Sequence, residues 1–146
     1  MRCRSLSFAM AAGAALFIAG PASAARIVVT IDGVHNTKGN VFVGLYASPA
    51  KFLHGKQTDG MIKVPAKTSA ITVTFDHLKP GTYAVGAFHD ENSNEHLDTN
   101  SLGFPIEGFA LSNDIRPMFS RPDFYDCAFK IGEDDNDKTV ELHIKY

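Results

Sequence analysis

The sequence predicts an all-β domain, an immunoglobulin-like or transthyretin-like sandwich of about seven antiparallel strands with one long irregular loop. Three observations point there. Short β-branched and aromatic runs recur along the chain, such as RIVVTID at 26–32, SAITVTF at 69–75 and TVELHIKY at 139–146. Clusters of Gly, Pro, Asn and Asp punctuate them. Beyond the first 24 residues no segment carries the sustained 3.6-residue period of a long helix.

Residues 1–24 read as an export signal. Arg2 and Arg4 form a basic start, residues 5–20 are small or apolar with no charge, and Ala22-Ser23-Ala24 offers the small side chains a signal peptidase accepts. The apolar run is short for a membrane span, which needs roughly 20 apolar residues. Cleavage is expected after Ala24, and a cut after Ala25 fits too. The product is a single domain over residues 25–146, in the periplasm or secreted, with no transmembrane segment of its own. Loss of Arg2 and Arg4 takes the formal charge from −2 to −4. A mildly acidic chain lacks the basic face that nucleic acid requires. Cys127 is the single cysteine of the mature chain, so no internal disulfide is available, and it is expected to be a buried, small apolar residue.

Within the domain, residues 26–32 form a first strand and 40–48 a second, expected to pair antiparallel with it. In the second, Val41, Val43 and Leu45 share one face; Phe42, Gly44 and Tyr46 share the other. Pro49 and Ser48 suggest one turn of helix, anchored by Phe52 and Leu53. Residues 61–65 are a short edge strand ending at Pro65. Residues 69–75 alternate, with Ile71, Val73 and Phe75 on one face. The Pro80-Gly81 pair then turns the chain. In the next strand, 82–88, Tyr83, Val85 and Ala87 oppose Ala84, Gly86 and Phe88. Residues 124–131 are expected to be extended, 132–137 a hairpin turn, and 139–146 the last strand.

Residues 90–122 are too long for an ordinary connection, and such loops are usually functional or disordered. Leu97, Leu102, Phe104, Phe109, Leu111 and Phe119 can anchor this one to the body. Phe104, Phe109, Phe119, Phe124 and Tyr125 can line a ligand groove, although pinning the loop is the commoner use. The absence of Trp weakens a sugar-stacking platform.

The segment HDENSNEHLDTN at 89–100 places side-chain oxygens at Asp90, Asn92, Asn94 and Asp98, relative positions 1, 3, 5 and 9. A calcium loop of the EF-hand kind uses those positions plus a carbonyl at position 7, here His96. Position 6 should be Gly and is Glu95; position 12 should be Glu and is Ser101; Glu107 can return to supply the missing carboxylate. The candidate site for calcium is therefore Asp90, Asn92, Asn94, His96, Asp98 and Glu107. The competing reading is an Asx-rich turn network without metal, in which Asp and Asn bond backbone amides two residues on. Zinc held by His89 and His96 is a weaker reading, with no third ligand near. No nucleophile elbow, glycine-rich phosphate loop or paired-cysteine motif is present, and no catalytic residues are assigned. A non-enzymatic binding or structural module, with a protein or glycan as conceivable ligand, is the leading function. A carboxylate-dependent hydrolase acting on a glycan through Asp90, Asp98 and Glu107 is the alternative.

The run LKPGTYAVGAFHDENSNEHLDTNSLGFPIEGFALSND at 78–114 resembles the bacterial family of exported proteins called DUF2141. Its Leu-Pro-x-Gly-x-Tyr-Ala turn corresponds to 78–84, its His-Asp-x-Asn-x-Asn-x-x-x-Asp-x-Asn segment to 89–100, and its Gly-x-Pro-x-Glu-Gly-x-x-x-Ser-Asn segment to 103–113. GNVFVGLYASPAKFL and the stretch 122–129 resemble it as well. Glu95, where relatives commonly have Gly, and Lys79 depart from the pattern. The resemblance implies an exported β-sandwich of unassigned activity and leaves the metal question to the loop itself.

Overall fold

The computed structural model describes residues 24–54, 57–117 and 120–146. The expected signal peptide, apart from Ala24, lies outside the described residues, as does Phe119. The chain forms eight strands: β1 (Ala25–Asp32), β2 (Asn40–Tyr46), β3 (Gly60–Pro65), β4 (Ile71–Leu78), β5 (Gly81–Asp90), β6 (Phe109–Leu111), β7 (Phe129–Ile131) and β8 (Asp137–His143). A 3₁₀ turn, Ser112–Asp114, follows β6, and a single helical turn, α1 (Phe124–Cys127), precedes β7. Among the described residues no helix is long and apolar enough to cross a membrane.

Two sheets make a β-sandwich. One has the order β4-β1-β8; the other runs β3-β2-β5-β6, with β7 also paired to β5. The core lies between them because the strands alternate. Ile27, Val29 and Ile31 of β1, with Ile71, Val73 and Phe75 of β4, face Val41, Val43 and Leu45 of β2 and Tyr83, Val85 and Ala87 of β5. Burying each aliphatic side chain of that set contributes about 1.5–3 kcal/mol.

Pairing departs from the sequence-based expectation in several places. β1 and β2 are not partners but lie in different sheets, because β1 is sandwiched between β4 and β8. The ladder between β1 and β8 is parallel, whereas every other paired strand is antiparallel. Its register is marked at both ends by opposed side chains. Arg26 faces Asp137 in a two-pronged ion pair at 2.7 Å, and Asp32 faces His143 at 2.7 Å. The 132–137 segment therefore carries the chain from one sheet to the other instead of closing a hairpin, and Pro80-Gly81 does the same between β4 and β5.

Residues 124–131 are not one strand. Pro122 and Asp123 start a helical turn: the Asp123 side chain accepts a hydrogen bond from the Tyr125 amide at 2.8 Å, and the strand begins only at Phe129. Residues 49–53 form turns and not a helix, yet Phe52 is the buried anchor expected of them.

Candidate functional site

The outer face of the five-stranded sheet is apolar. Side chains alternate, so Phe42, Gly44 and Tyr46 of β2 point away from the core beside Phe88, Gly86 and Ala84 of β5, and the register pairs them in that order. Phe42 and Phe88 stack with centroids 5.1 Å apart and planes 6° from parallel. Gly44 opposite Gly86 lowers the floor between that stack and the Tyr46 ring. A Cβ on Gly44 would stand 3.0 Å from Tyr46 Oη, and one on Gly86 3.1 Å from a Leu111 methyl.

One end of this face is closed by a second small core in which Tyr46 and Ala84 pack with Phe52, Leu111, Phe124 and Cys127. Beyond it the face stays open as a cleft of about 800 Å³, within the usual size range for small-molecule sites, with Tyr46 and Leu111 at its border with that core. Phe42, Gly44, Gly86 and Phe88 make its floor. Leu97, Leu102 and Phe104 of the long loop make one wall, and Leu53, Pro117, Arg121 and Pro122 lie along the other side. Leu102 is 79% exposed and Phe104 43% exposed, so neither pins the loop as expected; both present apolar surface at the cleft. Phe109 and Leu111 do anchor it, through pairing with β5. Phe124 belongs to the small core, and Tyr125 points to solvent at 70% exposure, away from the groove role considered for it.

The loop is held by carboxylates that accept backbone amides. Asp90, fully buried at the end of β5, takes the amides of Asn94 (3.1 Å) and Glu95 (2.9 Å). Glu107, also buried, takes those of Glu91 and Asp98 at 3.0 Å each. Asn92 and Asn94 accept the amides of Asn94 and His96 at 2.9 Å, the turns that Asx side chains make. Both amide groups also donate to Asp98, at 2.6 Å from Asn92 and 3.0 Å from Asn94. Ser93 and Glu95 adopt φ of 63° and 62°, the left-handed conformation of a tight curl. The spacing thus brings Asp90, Asn92, Asn94 and Asp98 together, with Glu107 tied to the same curl. Every one of these carboxylates is engaged by amide hydrogens. Among the described residues no group of three or more His, Cys, Asp or Glu is placed to hold a metal ion.

Two further contacts fix the loop to the sheet. Lys63 of β3 reaches Glu95 at 3.0 Å while its ammonium sits 5.1 Å from the centre of the Phe42 ring. His89 is wholly buried, with Nε2 2.7 Å from the Lys38 carbonyl and Nδ1 2.6 Å from the Tyr146 hydroxyl. A carbonyl only accepts, so Nε2 carries the hydrogen that it donates to Lys38, and Nδ1 meets the Tyr146 hydroxyl. Both nitrogens are thereby committed to tying the C-terminus to the turn after β1, and His96 stands apart on the exposed curl. Asn36 donates to Glu91 at 2.9 Å and, with His35 beside it, holds that carboxyl below its ordinary range despite partial burial.

Sequence reasoning missed the cleft floor. Its signal was present: β2 and β5 are apolar on both faces, and each places a glycine at the middle of its outer face between larger side chains. The chain matches, over residues 29–140, the family model described as an uncharacterized protein conserved in bacteria, DUF2141. It belongs to that family. The match spans β1 to β8 and so takes in the cleft and the loop of this DUF2141 domain. No curated protein and no solved structure matches the chain.

Proposed function

We propose that this DUF2141 protein is an exported, non-enzymatic binding domain that takes a small apolar ligand in the cleft on the outer face of its five-stranded sheet. One observation carries the reading: a solvent-facing sheet surface is built of paired glycines between aromatics and is walled by a loop that exposes Leu102 and Phe104 toward it. A face serving only as solvated surface would alternate apolar-in with polar-out. Export rests on the N-terminal signal pattern, and the immunoglobulin-like or transthyretin-like assignment on two packed sheets of short strands. The test is titration with the neutral fluorophore N-phenylnaphthylamine, read against low background because the chain has no Trp. Wild type is expected to bind, and a Leu102→Asp, Phe104→Asp variant to bind about tenfold more weakly with an unchanged unfolding midpoint. Equal binding by both proteins, or none by wild type, overturns the proposal.

The hydrolase alternative draws no support from this geometry. It needs two carboxylates facing an open cleft, whereas Asp90 and Glu107 are buried against backbone amides.

A specific observation favours a second role for the loop. Asp90 accepts the amides of relative positions 5 and 6, and Glu95 at position 6 takes the sharp-turn conformation that a calcium loop asks of its glycine. We therefore propose calcium binding through Asp90, Asn92, Asn94, Asp98, the His96 carbonyl and Glu107. Both asparagine amides must turn their oxygens inward for it. Thermal unfolding in millimolar calcium against chelator tests this: wild type gains several degrees and an Asp90→Asn, Asp98→Asn variant gains almost none. Equal midpoints for wild type leave the loop as an amide-braced wall.

A further inference from the structure

Among the polar side chains lining the cleft are a phenol and an arginine. The Tyr46 ring is buried and lines the cleft, and its hydroxyl, which has no hydrogen-bond partner among the described residues, is the part of it that solvent reaches. Its hydroxyl is therefore a donor presented to whatever enters. Arg121 lines the same cleft. Arg26 and Arg116 each pair with a carboxylate, Asp137 and Asp114. Arg121 has no carboxylate partner among the described residues, and its one polar contact is a long 3.5 Å approach to His54 Nδ1. Its charge is felt at Tyr46, partly offsetting the upward push that burial gives the phenol. The acidic group lining the cleft, Glu95, is engaged by Lys63. In a chain of net charge −2, an arginine without a carboxylate partner among the described residues, lining the same cleft as an accessible phenol hydroxyl, marks a place for an anion.

We propose that the ligand is an amphipathic carboxylate, an apolar body with one anionic head, its body on the Phe42–Phe88 stack and Gly44–Gly86 floor and its head received by Tyr46 Oη and Arg121. The proposal rests on the cleft reading above and names its ligand class. The Tyr46 hydroxyl and the guanidinium both donate, so a carboxylate oxygen meets donors alone, and charge-assisted bonds of that kind are about twice as strong as neutral ones. An alcohol of the same chain length gains the apolar contacts without the head-group attraction.

The test is displacement of bound N-phenylnaphthylamine by dodecanoate and by dodecan-1-ol, each below the concentration at which it self-associates. Wild type is expected to prefer dodecanoate by about tenfold. Arg121→Gln, an exposed substitution, and Tyr46→Phe, which keeps the ring, are each expected to shrink that ratio to about twofold or less. Arg116→Gln, outside the cleft, is expected to keep it. A further arm offers phosphatidylglycerol vesicles in a sedimentation assay. Retention of the protein on vesicles without displacement by dodecanoate assigns the anionic end to a lipid surface and overturns the proposal. Equal affinity of wild type for acid and alcohol, or a ratio unmoved by Arg121→Gln, overturns it while leaving the cleft itself standing. Failure of the fluorophore to bind at all defeats the cleft reading first.

Discussion

Gly44 of β2 stands directly opposite Gly86 of β5, so neither strand carries a side chain at that point of the outer sheet face, and the Tyr46 ring and Leu111 approach it instead. The two glycines differ in what surrounds them. A methyl on Gly44 would press on the Tyr46 hydroxyl and ring at 3.0–3.2 Å, and that ring is itself held edge-on against Phe52. A methyl on Gly86 would meet the mobile end of Leu111. Gly44→Ala is expected to cost about 1–3 kcal/mol in urea unfolding, as overpacking does. Gly86→Ala is expected to cost less. The reverse order contradicts the floor geometry.

Glu107 joins the two arms of the loop by accepting amides from Glu91 and Asp98. Glu107→Ala leaves both donors without their acceptor in a largely buried place, and a loss of about 3 kcal/mol is expected. Hydrogen exchange at those two amides should accelerate while exchange along β1 does not. Unchanged protection at Glu91 and Asp98 counts against the bracing role.

His143 titrates above the ordinary histidine value of about 6.5, chiefly because it donates to Asp32 at 2.7 Å and faces that negative charge. A raised folded-state pKa means the native protein holds the proton more tightly than the unfolded chain. The pair therefore stabilises most fully below about pH 6.5, and its contribution disappears as pH rises through the folded value. Both partners are half-exposed, so the effect is small and is better read by NMR titration of the ring than by melting. Asp32→Asn should bring the His143 pKa down. No downward movement removes Asp32 as the cause.

Cys127 is fully buried at the end of α1, and burial, aided by Asp126 and Asp123, pushes its thiol up to about 11. The reactive thiolate is then scarce at neutral pH. Native protein should resist Ellman's reagent at pH 8 for as long as it stays folded and react at once in urea. Rapid reaction of the native protein contradicts this burial.

The strand cores were legible because β1 and β4 alternate cleanly, and Ile27, Val29, Ile71 and Val73 face inward as their spacing requires. Pairing was not, because alternation says which way a side chain points but not which strand lies beside it. The parallel ladder of β1 with β8 joins the two ends of the domain, and its markers, Arg26 with Asp137 and Asp32 with His143, are 111 residues apart. The segment 124–131 misled because Phe124, Cys127 and Phe129 are apolar enough for a strand, while the Asp123 cap decided locally for a helical turn. In the candidate site, the 1-3-5-9 spacing foretold the convergence of Asp90, Asn92, Asn94 and Asp98. It did not foretell how many backbone amides those oxygens already serve. The cleft was missed although β2 and β5 are apolar on both faces, because strands of that kind read equally as buried on both sides, and because Leu102 and Phe104 read as anchors of the loop.

The central claim, that the outer face of the five-stranded sheet is the binding surface, is tested most directly by backbone amide NMR of residues 25–146 titrated with N-phenylnaphthylamine. Saturable shifts are expected at Gly44, Gly86, Phe88, Leu102 and Phe104, with β1 and β4 of the opposite sheet unmoved. Shifts centred on β1, β4 or β8, or none up to the solubility limit of the ligand, would contradict the account.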